Sequence, residues 1–367
     1  MLDLRSLRHF DWRLLLIALG LSGMGILMVR STTASPESGA AGGYLVRQLV
    51  WVILGLGVLF LALCFDYTAL RRFERVTYLV ALMLLVLVLV IGTGRGAQRW
   101  FALGTFQLNP GEFAKLLVLV SLAAYLARHR DQRGDVRVLL RSLGYVVPPA
   151  ILVLIQPDMG SALTFGAIWV ALAVVWGARG RHLLAFAAAA ILVFAMGWYS
   201  GLVRDYQKER ILTLLGGGHR TGSAYQLEQS KIALGSGGVW GRGYGKGPQT
   251  RLNFIPAQHT DFIFTAVGEE LGFVGAIIVL GLYLALVLKG MQIAAGAPEW
   301  FGGLLAVGVT SLFAFHVIVN VGMTAGLLPV TGLPLPFLSY GGSNLLVSMA
   351  AVGVLSGVQM RSRTIRF

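Results

Sequence analysis

Asp261 stands where this chain could most readily do chemistry. It closes the mixed segment Phe254-Ile255-Pro256-Ala257-Gln258-His259-Thr260 and precedes a membrane-length apolar run starting at Phe262. A carboxylate at the mouth of a hydrophobic span is costly, and such residues mark functional sites. The apolar run predicts a helix start, where backbone N–H groups favour an anion. Asp261 therefore reads as an N-cap or as a general base. Glu269 and Glu270 follow about two turns deeper, where either could pair with a cation of the bundle. Farther back, Asn109-Pro110-Gly111-Glu112 has the order of a helix start, with Glu112 at the acid position of a capping box. Lys115 lies one turn beyond Glu112 on the same face. It reads as an internal ion-pair partner or as a cation facing a phosphate. Arg99 beside Trp100 is an interfacial belt pair or a substrate contact. Asp158, in Gln156-Pro157-Asp158-Met159-Gly160-Ser161, reads first as a helix cap.

These residues must be held by membrane elements. The chain has 367 residues, 56% hydrophobic and 13% charged, where soluble domains carry about 25% charged residues. Mean hydropathy is +0.74. The fold class expected is an all-α polytopic integral membrane protein. Ten apolar segments can be read, roughly 12–29, 46–65, 76–92, 111–127, 143–156, 160–177, 182–200, 262–288, 301–321 and 343–358. Most approach the ~20 residues needed to cross. The fifth and sixth are short, and one bent re-entrant element is the alternative there. The whole of 1–367 reads as one domain, with a long connection at about 201–260. No 20–50-residue repeat and no duplicated half with broken helices is visible.

Charge sets the orientation. Seventeen Lys and Arg lie on one set of ends and connections, from Arg5, Arg8 and Arg13 to Arg361, Arg363 and Arg366. Five (Arg30, Arg47, Arg95, Arg99 and Lys115) lie on the other. The positive-inside rule then puts both termini in the cytoplasm and 201–260 outside. The first span is too long for a signal-peptide core and lacks an A-x-A site, so it is expected to remain as a span.

Several functions are excluded. The net charge of +14 would suggest nucleic acid in a soluble protein, but most of it flanks apolar spans. Cys64 is the single cysteine, so no internal disulfide or cysteine-based metal site exists. The glycine-rich stretch 234–245 lacks the strand context of a dinucleotide fingerprint, and no Walker pattern follows it. No dedicated metal cage is legible. Segment 320–344 carries no charge and three prolines, Pro329, Pro334 and Pro336, which forbid a continuous helix. Irregular backbone at membrane depth must be buried or line a cavity. Its Thr331, Ser339, Tyr340 and Ser343 are therefore candidate cavity walls.

Read in order, Asn320-Val321-Gly322-Met323, Gly326-Leu327-Leu328-Pro329, Thr331-Gly332-Leu333-Pro334-Leu335-Pro336-Phe337 and Ser339-Tyr340-Gly341-Gly342-Ser343 resemble the signature of the SEDS family (shape, elongation, division and sporulation). His259-Thr260-Asp261-Phe262-Ile263-Phe264 with Glu269-Glu270-Leu271-Gly272, Gln156-Pro157-Asp158, and 109–115 are similar to three more family blocks. The resemblance spans nearly the whole chain. It is nearer the elongation branch, RodA, than the division branch, FtsW. Ala257 departs from the Glu expected in many relatives. The resemblance implies a peptidoglycan glycosyltransferase of the bacterial inner membrane. It would polymerise lipid II for cell-wall elongation, invert the anomeric centre and release undecaprenyl pyrophosphate. Asp261 would be the base. Arg99, Trp100, Glu112, Lys115, Asp158, Ser339, Tyr340 and Ser343 would contact substrate. A divalent cation could share the neutralisation of charge. The implied partner is a class B penicillin-binding protein, a transpeptidase. A lipid II flippase and a scaffold that activates that partner are the alternatives.

Overall fold

The computed structural model describes residues 11–34, 41–93, 98–104, 106–201, 203–214 and 222–364. Arg5, Arg8, Arg95 and Arg366, used above for orientation, lie outside them. The apolar segments fold as α1 (Trp12–Thr33), α2 (Ala41–Cys64), α4 (Glu74–Ile91), α5 (Pro110–Arg128), α8 (Met159–Trp176), α9 (Gly180–Tyr199), α13 (Ile263–Gly296), α14 (Trp300–Thr324) and α15 (Gly342–Thr364). A short α3 (Tyr67–Leu70) links α2 to α4. The fifth apolar segment, read as 143–156, folds as α7 (Val147–Ile155), and the span is extended at its start by α6 (Val136–Leu143). The break between them falls before Pro148-Pro149, whose missing N–H groups and fixed φ suit a helix start. The tight Gln156-Pro157-Asp158 turn then separates α7 from α8. Among the described residues, ten segments are long and apolar enough to cross a membrane.

Helices α5, α14 and α15 are the most enclosed, and α8 joins them. Helix α9 has no buried residue. A small hairpin, β1 (Phe101–Leu103) against β2 (Phe106–Leu108), leads into α5, and Phe106 packs edge-on against Trp51. Between α9 and α13 lie α10 (Asp205–Leu214), α11 (Ser223–Ser236) and α12 (Pro248–Arg251).

Helix α13 is interrupted at Gly272, whose φ of 68° suits glycine but strains a residue with a Cβ. The interruption frees backbone groups that lipid could not satisfy, and the loop after α11 takes them. Arg242 N and Gly243 N donate to the carbonyls of Glu269 and Glu270 (2.9 and 3.0 Å). Phe273 N and Val274 N donate to Gly238 and Val239 (2.9 and 3.1 Å). Against expectation, neither glutamate forms an ion pair among the described residues. Glu269 accepts from Gln249 N, Thr250 N and Thr250 Oγ1 (2.8, 2.9 and 2.6 Å). Glu270 accepts from the Ser31 hydroxyl. Glu269 thus ties the long connection to α13, and Glu270 ties α13 to α1. At the opposite end, Lys289–Asp11 (2.5 Å) and Arg128–Glu74 (2.6 Å) join helices.

The charge asymmetry predicts that 222–260 faces away from the cytoplasm. In a Cys64-free background, Lys246→Cys should react with an impermeant thiol reagent on intact cells, and Arg72→Cys should not. The reverse pattern would invert the topology.

Candidate active site

The uncharged segment between α14 and α15 descends into the bundle without regular structure, and its stretch 330–339 is mostly buried. Each exposed backbone group would be costly there, and side chains on surrounding helices supply partners. Asn320 Nδ2 donates to Leu333 O (2.6 Å) and also to Asp261 O (2.8 Å). His316 Nδ1 lies 3.1 Å from Pro334 O. Tyr283 Oη donates to Pro336 O (2.6 Å), and Asn344 Nδ2 to Leu335 O (3.2 Å). Ser339 Oγ accepts from Leu335 N (2.8 Å), and Ser343 Oγ accepts from Asn109 N (2.7 Å). The two serines, expected as cavity walls, are thus structural acceptors in the interior. Thr331 is buried as well, its hydroxyl 3.7 Å from Met323 Sδ. Tyr340 N donates to His259 O (2.9 Å), which fastens this loop to the segment carrying Asp261. The Tyr340 ring packs against Tyr44 and His259 (centroids 5.1 and 5.7 Å), and its hydroxyl is hydrogen-bonded with Arg47.

Asp261 is not the N-cap of α13. Its N–H donates to Ala257 O (3.1 Å), and the helix begins after Phe262, which offers no capping side chain. The carboxylate faces Gly332, where a Cβ would sit 3.2 Å from Oδ2. With φ of 75°, Gly332 is the residue type that this turn and this close approach require. Asp158 does cap α8 as expected, accepting from Ser161 N and Ser161 Oγ (both 3.0 Å). Next to it, Gly160 meets Leu333 and Thr331, so the α8 N-terminus, the loop and Asp261 converge.

Arg99 reaches this corner from the hairpin side. Its Nε and Nη2 donate to the carbonyls of Gln156 and Pro157, just before Asp158. Arg210, on α10, completes the group; nothing in its local sequence singled it out from the eight basic residues of 201–260. Both arginines act electrostatically on Asp261, as does Asp158. Burial pushes the Asp261 carboxyl up to about 6, and the Asp158 charge adds to this. Arg210, the Thr260 hydroxyl and Arg99 pull it the other way. The outcome is a carboxyl group that ionises near neutral pH under the influence of two guanidinium groups. Trp100 is half-buried beside Arg99 and bridges to Thr93 through its backbone (2.8 and 3.2 Å).

Glu112 and Lys115 lie apart from this group. Asn109 caps α5 as expected, but Glu112 turns to Lys115 (2.7 Å) rather than back to the cap. Lys115 was expected to face an outward cavity, yet its side chain is fully buried and also touches His316 Nε2 (3.3 Å). A buried cation needs such partners. Through His316 and Pro334 the pair supports the loop beside Asp261.

An apolar cavity of about 690 Å³ adjoins the charged corner. Met159, Leu163, Val193, Phe194, Val203 and Gln207 line it between α7, α8 and α9. Met159 follows Asp158 in sequence, and Gln207 lies one turn before Arg210 on α10. Such a cavity suits a hydrocarbon chain whose anionic head rests near the arginines. Among the described residues, no group of three or more His, Cys, Asp or Glu side chains is arranged for a metal. Asp158 and Asp261 are the carboxylates available to a cation at this corner.

A family model described as "Cell cycle protein" (FtsW, RodA and SpoVE) matches residues 12–364. A protein of Trichlorobacter lovleyi named probable peptidoglycan glycosyltransferase FtsW is 38% identical over 96% of this chain and 93% of its own. A chain solved in a peptidoglycan synthase complex, reported for its coordination of polymerisation and crosslinking, superposes with a TM-score of 0.81 at 32% identity, covering 96% of this chain and 98% of that one. The rod shape determining protein RodA of Thermus thermophilus superposes with a TM-score of 0.70 at 31% identity, covering 98% of each chain. Similarity thus extends to proteins of both branch names.

The raised Asp261 pKa has a consequence for stability. Below the ordinary value of 3.8 the group is protonated in both folded and unfolded chains and costs nothing. As pH rises through about 6, the folded state must bury a charge, and that part of the stability is lost. Asp261→Asn should therefore unfold at a higher temperature than the native chain above this pH and at the same temperature near pH 4. Equal unfolding temperatures throughout would show that the carboxyl is not shifted.

Proposed function

The chain belongs to the SEDS family, the cell cycle proteins grouped with FtsW, RodA and SpoVE, and from that premise we propose that it is a peptidoglycan glycosyltransferase that polymerises lipid II. The carrying observation is the corner itself: a carboxyl whose pKa is raised to about 6, with two arginines acting on it, near an apolar cavity whose lining includes Met159 next to Asp158 and Gln207 on the same helix as Arg210. Relatives named peptidoglycan glycosyltransferase support the reaction class.

In this reading Asp261 accepts the proton of the acceptor sugar's 4-hydroxyl. The oxygen forms a bond to the donor's anomeric carbon on the face opposite the leaving group. The bond from that carbon to the diphosphate oxygen breaks, and undecaprenyl pyrophosphate leaves with the electron pair. One displacement inverts the centre. Arg99 and Arg210 stabilise the departing charge, and the cavity between α7, α8 and α9 takes part of the polyprenyl chain. A divalent cation at Asp158 could share the neutralisation. Trp100 and Tyr340 flank the sugars. Lys115 and Glu112 act from within, by holding His316 and the loop. The work belongs to cell-wall elongation, in the bacterial cytoplasmic membrane, with both termini inside.

The synthase-complex neighbour supports pairing with a class B penicillin-binding protein. A flippase would use the same basic corner but would need no base, and a scaffold would need neither. The discriminating protein is therefore folded, partner-bound Asp261→Asn assayed with purified lipid II. It should bind lipid II but polymerise it roughly 10²–10⁴-fold more slowly. Glycan product at the native rate would remove Asp261 as the base.

A further inference from the structure

At the end of the bundle opposite Asp261, two adjoining cavities are not used by this reaction. One is a polar bay of about 420 Å³, lined by Arg133, Asp135, Arg179, Arg181 and His182 among others. The other, about 440 Å³, lies between the ends of α8, α13 and α14. Val175, Met291, Ala294, Leu304 and Val307 form apolar wall there, with Arg130, Glu299 and Trp300 also lining it. The two meet at Arg133. This residue lines the bay while its Cζ lies 4.2 Å from the centroid of the Trp300 ring; Arg130 Cζ lies at 5.4 Å.

The charge is one-sided. Four arginines line the two cavities against two acids, Asp135 and Glu299. Asp135 is engaged in capping α6 through Arg137 N (2.8 Å). Exposed Asp131 lies on the adjoining turn. His182 Nδ1 and Trp300 Nε1 are both buried without a hydrogen-bond partner among the described residues. Buried polar nitrogens normally have partners, and a multi-oxygen anion in the bay would bring acceptors next to His182.

We propose that these adjoining cavities bind one anionic phospholipid from the adjacent leaflet. Its phosphate lies among Arg133, Arg179, Arg181 and His182, and one acyl chain enters between α8, α13 and α14. A soluble anion would satisfy the bay but leave the apolar cavity unfilled; a zwitterionic lipid would gain less from the guanidinium groups. The occupant braces three helices whose far ends carry or adjoin Asp158, Asp261 and Asn320. It is therefore placed to link the lipid composition of one leaflet to the site near the other.

The test is lipid retention by native mass spectrometry, after release of the full chain from phosphatidylcholine nanodiscs with or without phosphatidylglycerol. The native chain should retain one phosphatidylglycerol in preference to phosphatidylcholine. Each arginine removed should weaken retention about fivefold, so Arg133→Gln/Arg179→Gln should largely abolish it. Arg71→Gln/Arg72→Gln, at the same end but outside the bay, should not. Ala295→Leu fills the apolar cavity and leaves the charges in place; it should also lower retention, and it decides the matter if the arginine pair fails to fold. Equal retention of both lipids, equal loss in the Arg71/Arg72 control, or full retention by Ala295→Leu would overturn the proposal. So would inorganic phosphate alone raising the unfolding temperature as much as phosphatidylglycerol does, since the bay would then be a soluble-anion site.

Discussion

The constraint on which the rest depends is backbone hydrogen bonding in a place without water. The segment between α14 and α15 enters the bundle with prolines and glycines that cannot form a helix. Each buried carbonyl or N–H left unpaired there would cost about 1–3 kcal/mol. The surrounding helices answer with polar side chains at otherwise unfavourable depths: Tyr283, His316, Asn320 and Asn344. Each side chain is tolerated in the interior because it satisfies the loop, and the loop is tolerated because of them. Asn320 goes further, since one amide nitrogen serves both Leu333 and Asp261. The site carboxylate is thereby positioned by the same bonds that keep the irregular segment folded.

A second consequence concerns the acid itself. A carboxylate bonded to a helix N-terminus would be held ionised and weakly basic. Asp261 escapes this because α13 begins after Phe262, leaving Asp158 to perform the capping on α8. Two acids a short way apart thus have different tasks, set by local backbone rather than by residue type. Burial and the neighbouring negative charge raise one of them toward the pH at which a base is useful. The two guanidinium groups limit that rise and also offer an anionic leaving group somewhere to go.

How far the sequence spoke for this arrangement varies with the kind of signal. Span positions followed from hydropathy, because lipid imposes a length and a composition that no packing detail overrides. Asn109 and Asp158 were legible as caps, since capping is local. The kink at Gly272 was not, because it depends on loop 237–243 meeting α13 across more than twenty residues of sequence. Lys115 shows the limit most clearly. The i to i+3 spacing correctly pairs it with Glu112, but only the fold reveals that α14 covers it with His316. Arg210 was invisible for a related reason: a basic residue in a basic connection gains meaning only when α10 sets it opposite two acids. Ser339 and Ser343 carry polar atoms suited to a cavity, and the backbone claimed them first.

The central claim is that Asp261 works as a base near neutrality because of where the buried loop holds it. The pH dependence of lipid II polymerisation by the partner-bound chain tests this most directly. The rate should fall about tenfold for each pH unit below a single ionisation at about 6. A rate unchanged from about pH 7 down to about pH 4.5, well below that ionisation, would contradict it, because a base already protonated could not be carrying the reaction.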